Sequence, residues 1–394
     1  MGAKIETLSN KPIRLGPSPA ACARSRETTS APTRNDSTAM SASINTTTKP
    51  LQLPVFLRQS KADIHAKFVD LEWQQRDRLL QGTKQPLKPT DPQSKWSRLQ
   101  GDSIAIRNRY LNVEPFAENR IKLNVPDDAN NYINASPIQL GKRKYIATQG
   151  PKDTSVNHFY RMVAAEVKSP VVVVMLTQTH EAGREKCFQY YPLSAEESPL
   201  VIGRDLDVND GFQGEVILDQ VLEDPTTRSE VRRLRLRTTQ SSMQPKHEEK
   251  EIRHLLFSGW PDFLIPEGDD REALVELIRL SNTLNRTSSS NTSTNTIASS
   301  AASDFASTDQ DNPRIIHCSA GVGRSGTFIA LDYLLSLMYA GELDNVPYEK
   351  DLVADTVDLL RQQRMMMVQG ESQFHFVYDV LREKMMGGAA APKA

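Results

Sequence analysis

Residues 314–328 read RIIHCSAGVGRSGTF. A short apolar run, a loop of small residues and a stretch of helical period follow one another. That order predicts a strand ending near Cys318 and a helix opening near Arg324. Part of it, GVGRSG at 321–326, fits the G-x-G-x-x-G pattern of a dinucleotide-binding turn. Such a turn needs a second strand that ends in an acidic residue about 20 positions on. Here the helix runs to near Ala340, and GELDNVPYEK leads into another helix. Asp344 has no apolar strand before it, so the nucleotide reading fails. A Walker phosphate loop fails too, because Gly-Lys-Ser/Thr is missing.

The glycine pattern ignores His317, Cys318 and Arg324, and these carry the chemistry. Backbone N–H groups of a small-residue loop turn inward and form an anion nest. The N-terminus of the following helix adds partial positive charge at the same place. Arg324 offers a bidentate fork to two oxygens of a tetrahedral oxyanion. Cys318 stands at the base of that nest, where these dipoles favour the thiolate. A thiolate beneath a phosphate cradle is a nucleophile aimed at phosphorus. Ser325 is placed to hydrogen-bond the thiolate and help it leave.

The rest of the chain frames this motif. Residues 1–54 are rich in Ser, Thr, Pro, Asn and Ala without hydrophobic period, and are expected to be a disordered tail. A second low-complexity stretch at 285–313 interrupts the ordered part as an insertion, and 387–394 reads as a flexible C-terminus. Between them, SKADIHAKFVDLEWQQRDRLL opens with a Ser60/Asp63 capping pair and has helical period. Strands are expected at NYINAS, KYIATQ, VVVVML, GEVILDQVL, EVRRLRLRT, KEIRHLLF and PRIIHC. Helices are expected at 153–167, 269–284, 325–340, 348–364 and 371–385. The pattern predicts one α/β domain over 55–386, a mixed sheet flanked by helices.

Charge and composition exclude several classes. Lys and Arg number 48 against 49 Asp and Glu, so no global field draws the chain to nucleic acid. No stretch reaches the ~18 apolar residues of a membrane span, so membrane insertion is not expected. The N-terminus has no signal-peptide core, and Glu6 stands where a myristoylation signal needs Ser or Thr. Three scattered cysteines form no disulfide framework, which suits a reducing compartment. The cytoplasm is the expected location, with the nucleus as a second. None of the seven histidines has metal-ligand spacing.

HCSAGVGRSG resembles the signature of the tyrosine-specific protein phosphatases, and further motifs follow in family order from about residue 60 to 385. The resemblance implies the highly twisted mixed sheet of that fold and hydrolysis of phosphotyrosine in proteins through a cysteinyl phosphate. It implies no metal or cofactor. GWPDFLIP at 259–266 resembles the mobile loop carrying the general acid, here Asp262, with Trp260 as its anchor. Leu264 departs from the family's usual Gly and bears on loop mobility. RNRYLNVEPF resembles the recognition loop: Tyr110 stacks on the substrate ring, and Asn112 replaces the usual Asp. MMMVQGESQFHF resembles the segment in which Gln369 and Gln373 position water. Met366 stands there where some members have Gly beside the pocket. EAGREKCFQYYP implies that Glu181 orients Arg324 and that Lys186 touches the acid loop. Cys187 reads as a core thiol. Ser319, Ala320, Gly321, Val322 and Gly323 complete the phosphate cradle. Substrates are phosphotyrosine proteins, with a MAP-kinase activation loop as a family-level candidate. A binding-only pseudo-phosphatase and a broader dual-specificity phosphatase are the alternatives. The arginine-rich face of EVRRLRLRT reads as a solvated strand face, with guidance of acidic peptides as the second reading.

Overall fold

Val171–Met175 (β3) is apolar at every position and lies at the centre of the sheet. Val171, Val173 and Met175 enter one apolar cluster, and Val172 and Val174 enter another. An unbroken apolar run is what a strand needs when both faces are covered. The computed structural model describes residues 53–84, 93–203, 208, 210–240, 246–262, 264–286 and 310–387. The expected tail up to residue 52, the insertion at 287–309 and residues 388–394 lie outside them.

The other strands are β1 (Ala135–Leu140), β2 (Arg143–Thr148), β4 (His180–Glu181), β5 (Arg184–Glu185), β6 (Leu200–Ile202), β7 (Gln213–Asp224), β8 (Ser229–Gln240), β9 (Lys246–Phe257) and β10 (Gln310–His317). Eight form one mixed sheet in the order β1-β2-β10-β3-β9-β8-β7-β6, and β4 with β5 makes a separate ribbon. The central pairs β2–β10, β10–β3 and β3–β9 are parallel, and the flanking pairs are antiparallel. Helices are α1 (Lys61–Thr83), α2 (Asp102–Ala105), α3 (Val156–Glu166), α4 (Asp269–Arg286), α5 (Gly323–Tyr339), α6 (Leu352–Gln363) and α7 (Glu371–Met385). Residues of α3 join one cluster, while α1 and α4 to α7 supply the other. The expected fold class is thus observed.

Local signals and structure agree in several places. Ser60 caps α1, its Oγ accepting from the Asp63 N–H at 3.2 Å. Other boundaries moved. Within NYINAS only Ala135 and Ser136 belong to a strand; Tyr132 makes an isolated bridge to Lys122, and the Asn134 side chain donates to the Val113 carbonyl and to Asn108 Oδ1. α6 starts at Leu352 rather than 348, since Asp351 caps it through the N–H groups of Val353 and Ala354. α4 extends to Arg286 and β10 begins at Gln310, both inside the expected insertion; Asn285 Nδ2 donates to the Asn312 carbonyl at 2.9 Å.

Two arginines on the basic face of β8 are paired by its neighbours. Arg235 pairs with Asp219 and Arg237 with Glu215 and Glu249, across the two adjoining strands. Arg232 is instead buried on the apolar face, over the Tyr191 ring and beside Glu230.

Candidate active site

Four parallel strands bring their C-terminal ends to one place, the usual site of ligand binding in such sheets. β10 ends at His317, so Cys318 is the first residue beyond it. Past β3, the Leu176 carbonyl accepts from Arg324 Nη1 at 2.9 Å. β9 leads into Trp260-Pro261-Asp262. β2 ends at Thr148, against which the loop after Cys318 lies so closely that only glycine fits: a Cβ on Gly321 would stand 2.1 Å from the Thr148 carbonyl oxygen. Gly321 also has φ +71°, a conformation glycine adopts at little cost. Its N–H donates to Cys318 Sγ at 3.3 Å. α5 begins two residues later with its N-terminus at the loop.

A cavity of about 440 Å³ opens over Cys318. The loop contributes Ser319, Ala320, Gly323 and Arg324 to its lining. The recognition segment contributes Tyr110 and Asn112, the acid loop Asp262, and the last motif Gln369 and Gln373. Sequence positions from 110 to 373 therefore meet in one space. Tyr110 is tied to the loop by a hydrogen bond between its hydroxyl and Ser319 Oγ at 2.8 Å, and Ser319 Oγ donates in turn to the Lys186 carbonyl.

The charges are interlocked. Arg324 forks onto Glu181, both N–O distances being 2.6 Å, and its Nη2 also reaches Asp262 Oδ1 at 2.7 Å. The other Asp262 oxygen accepts from Lys186 Nζ. Burial opposes ionisation of Glu181, but the Arg324 fork, with Thr177 Oγ1 and the Gln178 N–H, outweighs it and holds that carboxyl below its ordinary range. Burial works against the Arg324 charge as well, and Glu181, Cys318 and Asp262 together raise its pKa.

Other expected residues stand outside the cavity lining. Trp260 is buried beneath the acid loop, where its indole N–H donates to the Leu264 carbonyl at 3.0 Å and its ring faces Phe376. Leu264 engages the loop through its backbone, and its side chain is exposed. Val322 is in the core, its carbonyl accepting from Gly326 and Val368. Ser325 is fully buried, and its hydroxyl has no hydrogen bond among the described residues. Met366 does not line the pocket: it packs against both the main core and the small Trp96–Phe116–Met365 cluster. Its φ is +60°. Cys187 is fully buried, and burial pushes its thiol well up, as expected of a packed core cysteine.

Two features had no sequence signal. Tyr190 OH lies between His254 Nε2 (2.9 Å) and His317 Nε2 (2.7 Å), forming a buried chain behind Cys318. Burial lowers the His317 pKa to about 4, so the ring is neutral at neutral pH. The second feature is Arg364, fully buried under the phosphate loop. Nothing in RQQRMMM marks its two arginines, Arg361 and Arg364, as interior. Only the fold does.

The family model described as protein-tyrosine phosphatase matches residues 105–383. Tyrosine-protein phosphatase 1 of Saccharomyces cerevisiae is 30% identical over 357 residues, covering 82% of this chain and 95% of that protein. Tyrosine-protein phosphatase 2 of Schizosaccharomyces pombe is 33% identical over 296 residues, covering 74% of this chain but only 36% of its own length. Rat receptor-type tyrosine-protein phosphatase C is 32% identical over 70% of this chain, and this chain spans 18% of it. The solved catalytic domain of human protein tyrosine phosphatase non-receptor type 18 superposes with a TM-score of 0.59 at 22% identity, over 82% of this chain and 96% of that one, which shows a shared fold. This chain belongs to the protein-tyrosine phosphatase family.

Proposed function

We propose that the chain hydrolyses phosphotyrosine in proteins by two in-line displacements at phosphorus, through a cysteinyl phosphate on Cys318. The observation that carries this reading is the meeting, in one cavity, of a buried cysteine, an arginine forked on a carboxylate and a second carboxylate. In the first step the Cys318 sulfur bonds to phosphorus while the bond to the tyrosyl oxygen breaks. Asp262 gives its proton to that oxygen. In the second, a water held by Gln369 and Gln373 loses a proton to Asp262 and attacks phosphorus. The sulfur–phosphorus bond breaks, inorganic phosphate leaves, and the Ser325 hydroxyl stabilises the departing thiolate.

Arg324 and the N–H groups of 319–324 bind the equatorial oxygens, where charge must be stabilised. Glu181 fixes the fork for that task. With no substrate present Asp262 rests on Arg324 Nη2, so an arriving phosphate displaces it toward the leaving oxygen. Tyr110, held by Ser319, stacks on the substrate ring and sets the slot depth, which a phosphoserine is too short to span; this disfavours the dual-specificity alternative. Asn112 accepts from the peptide backbone. Trp260 anchors the acid loop, and the exposed Leu264 side chain leaves that anchor undisturbed. A binding-only protein would have lost Cys318, Arg324 or Asp262, and all three are present. Substrates are phosphotyrosine proteins, an activation-loop tyrosine of a MAP kinase being one candidate. The place of action is the cytoplasm, with the nucleus as a second, since a nucleophilic thiol must stay reduced.

Phosphate release from matched phosphotyrosine and phosphoserine peptides tests this, with and without EDTA and beside Cys318→Ala. Metal-independent release from phosphotyrosine alone, absent in the variant, is the expected result. Release by Cys318→Ala, or loss of activity in EDTA, refutes it.

A further inference from the structure

Arg364 follows α6, and no part of its guanidinium group is exposed. Its Nε–H donates to the Gly321 carbonyl at 2.8 Å, and Nη2 donates to the Ala320 carbonyl at 3.1 Å. Nη2 also donates to Asn134 Oδ1 at 2.7 Å, and Nη1 to Ser136 Oγ at 3.2 Å. The two carbonyls belong to successive peptides of the phosphate loop. The first of these peptides joins Ala320 to Gly321. Its oxygen rests on Arg364 and its N–H points to Cys318 Sγ. One peptide group is therefore clamped between a cation and the sulfur. A donor polarised at its oxygen end gives a stronger hydrogen bond at its N–H end.

The charge balance points the same way. Other buried arginines have carboxylates: Arg143 and Arg314 share Asp332, and Arg161 pairs with Asp210. No carboxylate pairs with Arg364 among the described residues. Tyr132, the nearby phenol, is pushed up to about 12 by burial and stays neutral. Burial lowers the Arg364 pKa to about 10, which leaves it charged at neutral pH. An isolated buried cation is costly unless an anion lies near. Around the thiol, Arg324 is engaged by Glu181 and Asp262, Lys186 by Asp262 and Arg109 by Glu185, and His317 is neutral. Among the described residues, that leaves Arg364 as the buried cation without an ionic partner beside Cys318.

We propose that Arg364 is a positioning residue for phosphoryl transfer. It turns the loop carbonyls away from the substrate and serves as the buried counter-charge of the Cys318 thiolate. The inference rests on the cysteinyl-phosphate reading above. Through Asn134, which also bonds Asn108 and Val113, Arg364 ties the loop to the segment bearing Tyr110 as well.

The test is the pH dependence of Cys318 alkylation by iodoacetamide in the full chain, with phosphotyrosine-peptide kinetics alongside. Arg364→Met keeps the stem and removes the charge. It should move the thiol titration up by about one pH unit or more, the size expected on losing a close opposite charge. It should cost more kcat/KM at pH 6 than at pH 8. Arg364→Lys keeps the charge without the fork, and should hold the titration near the wild type while lowering kcat/KM at least tenfold. An unchanged titration in a folded Arg364→Met overturns the counter-charge. If that variant does not fold, Arg364→Lys decides: kinetics equal to the wild type overturn the positioning role. A wild type that forms no phosphoenzyme from phosphotyrosine would sink the underlying reading instead, whatever Arg364 does.

Discussion

The two halves of the sheet use arginine in opposite ways. On the antiparallel side, Arg235 and Arg237 of β8 lie on an exposed face and are answered across the ladder by Asp219, Glu215 and Glu249. Such exposed pairs are screened by solvent and contribute little each. At the parallel end, Arg324 is buried, forked on Glu181 with Asp262 on its Nη2, and lines the cavity. Side-chain chemistry is the same in both places. Burial and a place on the cavity lining turn a solvated charge into a binding group.

The largest test of this contrast is Arg324→Lys. Lysine keeps the charge but not the fork, and loss of kcat/KM by about 10³-fold or more is expected in peptide dephosphorylation assays, as for other arginines that stabilise transferring phosphoryl groups. A loss of only a few-fold would mean that charge alone suffices, and the contrast with β8 would weaken. Asp262→Asn should lower kcat by about 10²- to 10⁴-fold, the range for a lost general acid. Because Asp262 also occupies Arg324 Nη2 in the free enzyme, KM should not rise; a raised KM would show that the carboxylate attracts substrate rather than competing with it.

A smaller effect concerns stability. His317 is held near pKa 4 in the folded chain against about 6.5 in the unfolded one, so the unfolded state binds more protons between those values. Stability is full above about pH 6.5 and is lost as the pH falls toward 4. Thermal unfolding should show this slope in wild type, and it should be shallower in His317→Asn; an equal slope would place the effect elsewhere. The smallest change is expected on the antiparallel side. Arg237→Gln should leave kcat/KM unchanged and change stability little, since the pairs it belongs to are exposed and screened by solvent. A marked loss on acidic phosphopeptides would restore a guiding role to that strand.

Cys318, Arg324, Asp262, Gln369 and Gln373 were all legible as parts of short motifs, and the structure brings them to one cavity. Met366 shows where such reading stops. Its motif placed it beside the pocket, whereas its half-buried side chain packs against the edges of two apolar clusters and is not among the residues lining the cavity. NYINAS is a second case: its β-branched and aromatic residues suggested a strand, but its first residues make only an isolated bridge, Tyr132 to Lys122, with a segment outside that window.

The sequence by itself determined the elements and the candidate site groups: the apolar run of β3, the cap at Ser60, and a cysteine and arginine on one loop between strand and helix. These depend on neighbours within a few residues, where propensity and period act. Only the tertiary structure decided how the charges are shared. That Arg324 leans on Glu181 and Asp262, that Lys186 completes the ring, and that Arg364 clamps the loop from below are contacts between residues about 40 to 145 positions apart. Such contacts depend on the stacking of parallel strands, whose shared C-terminal edge brings distant segments to one cavity.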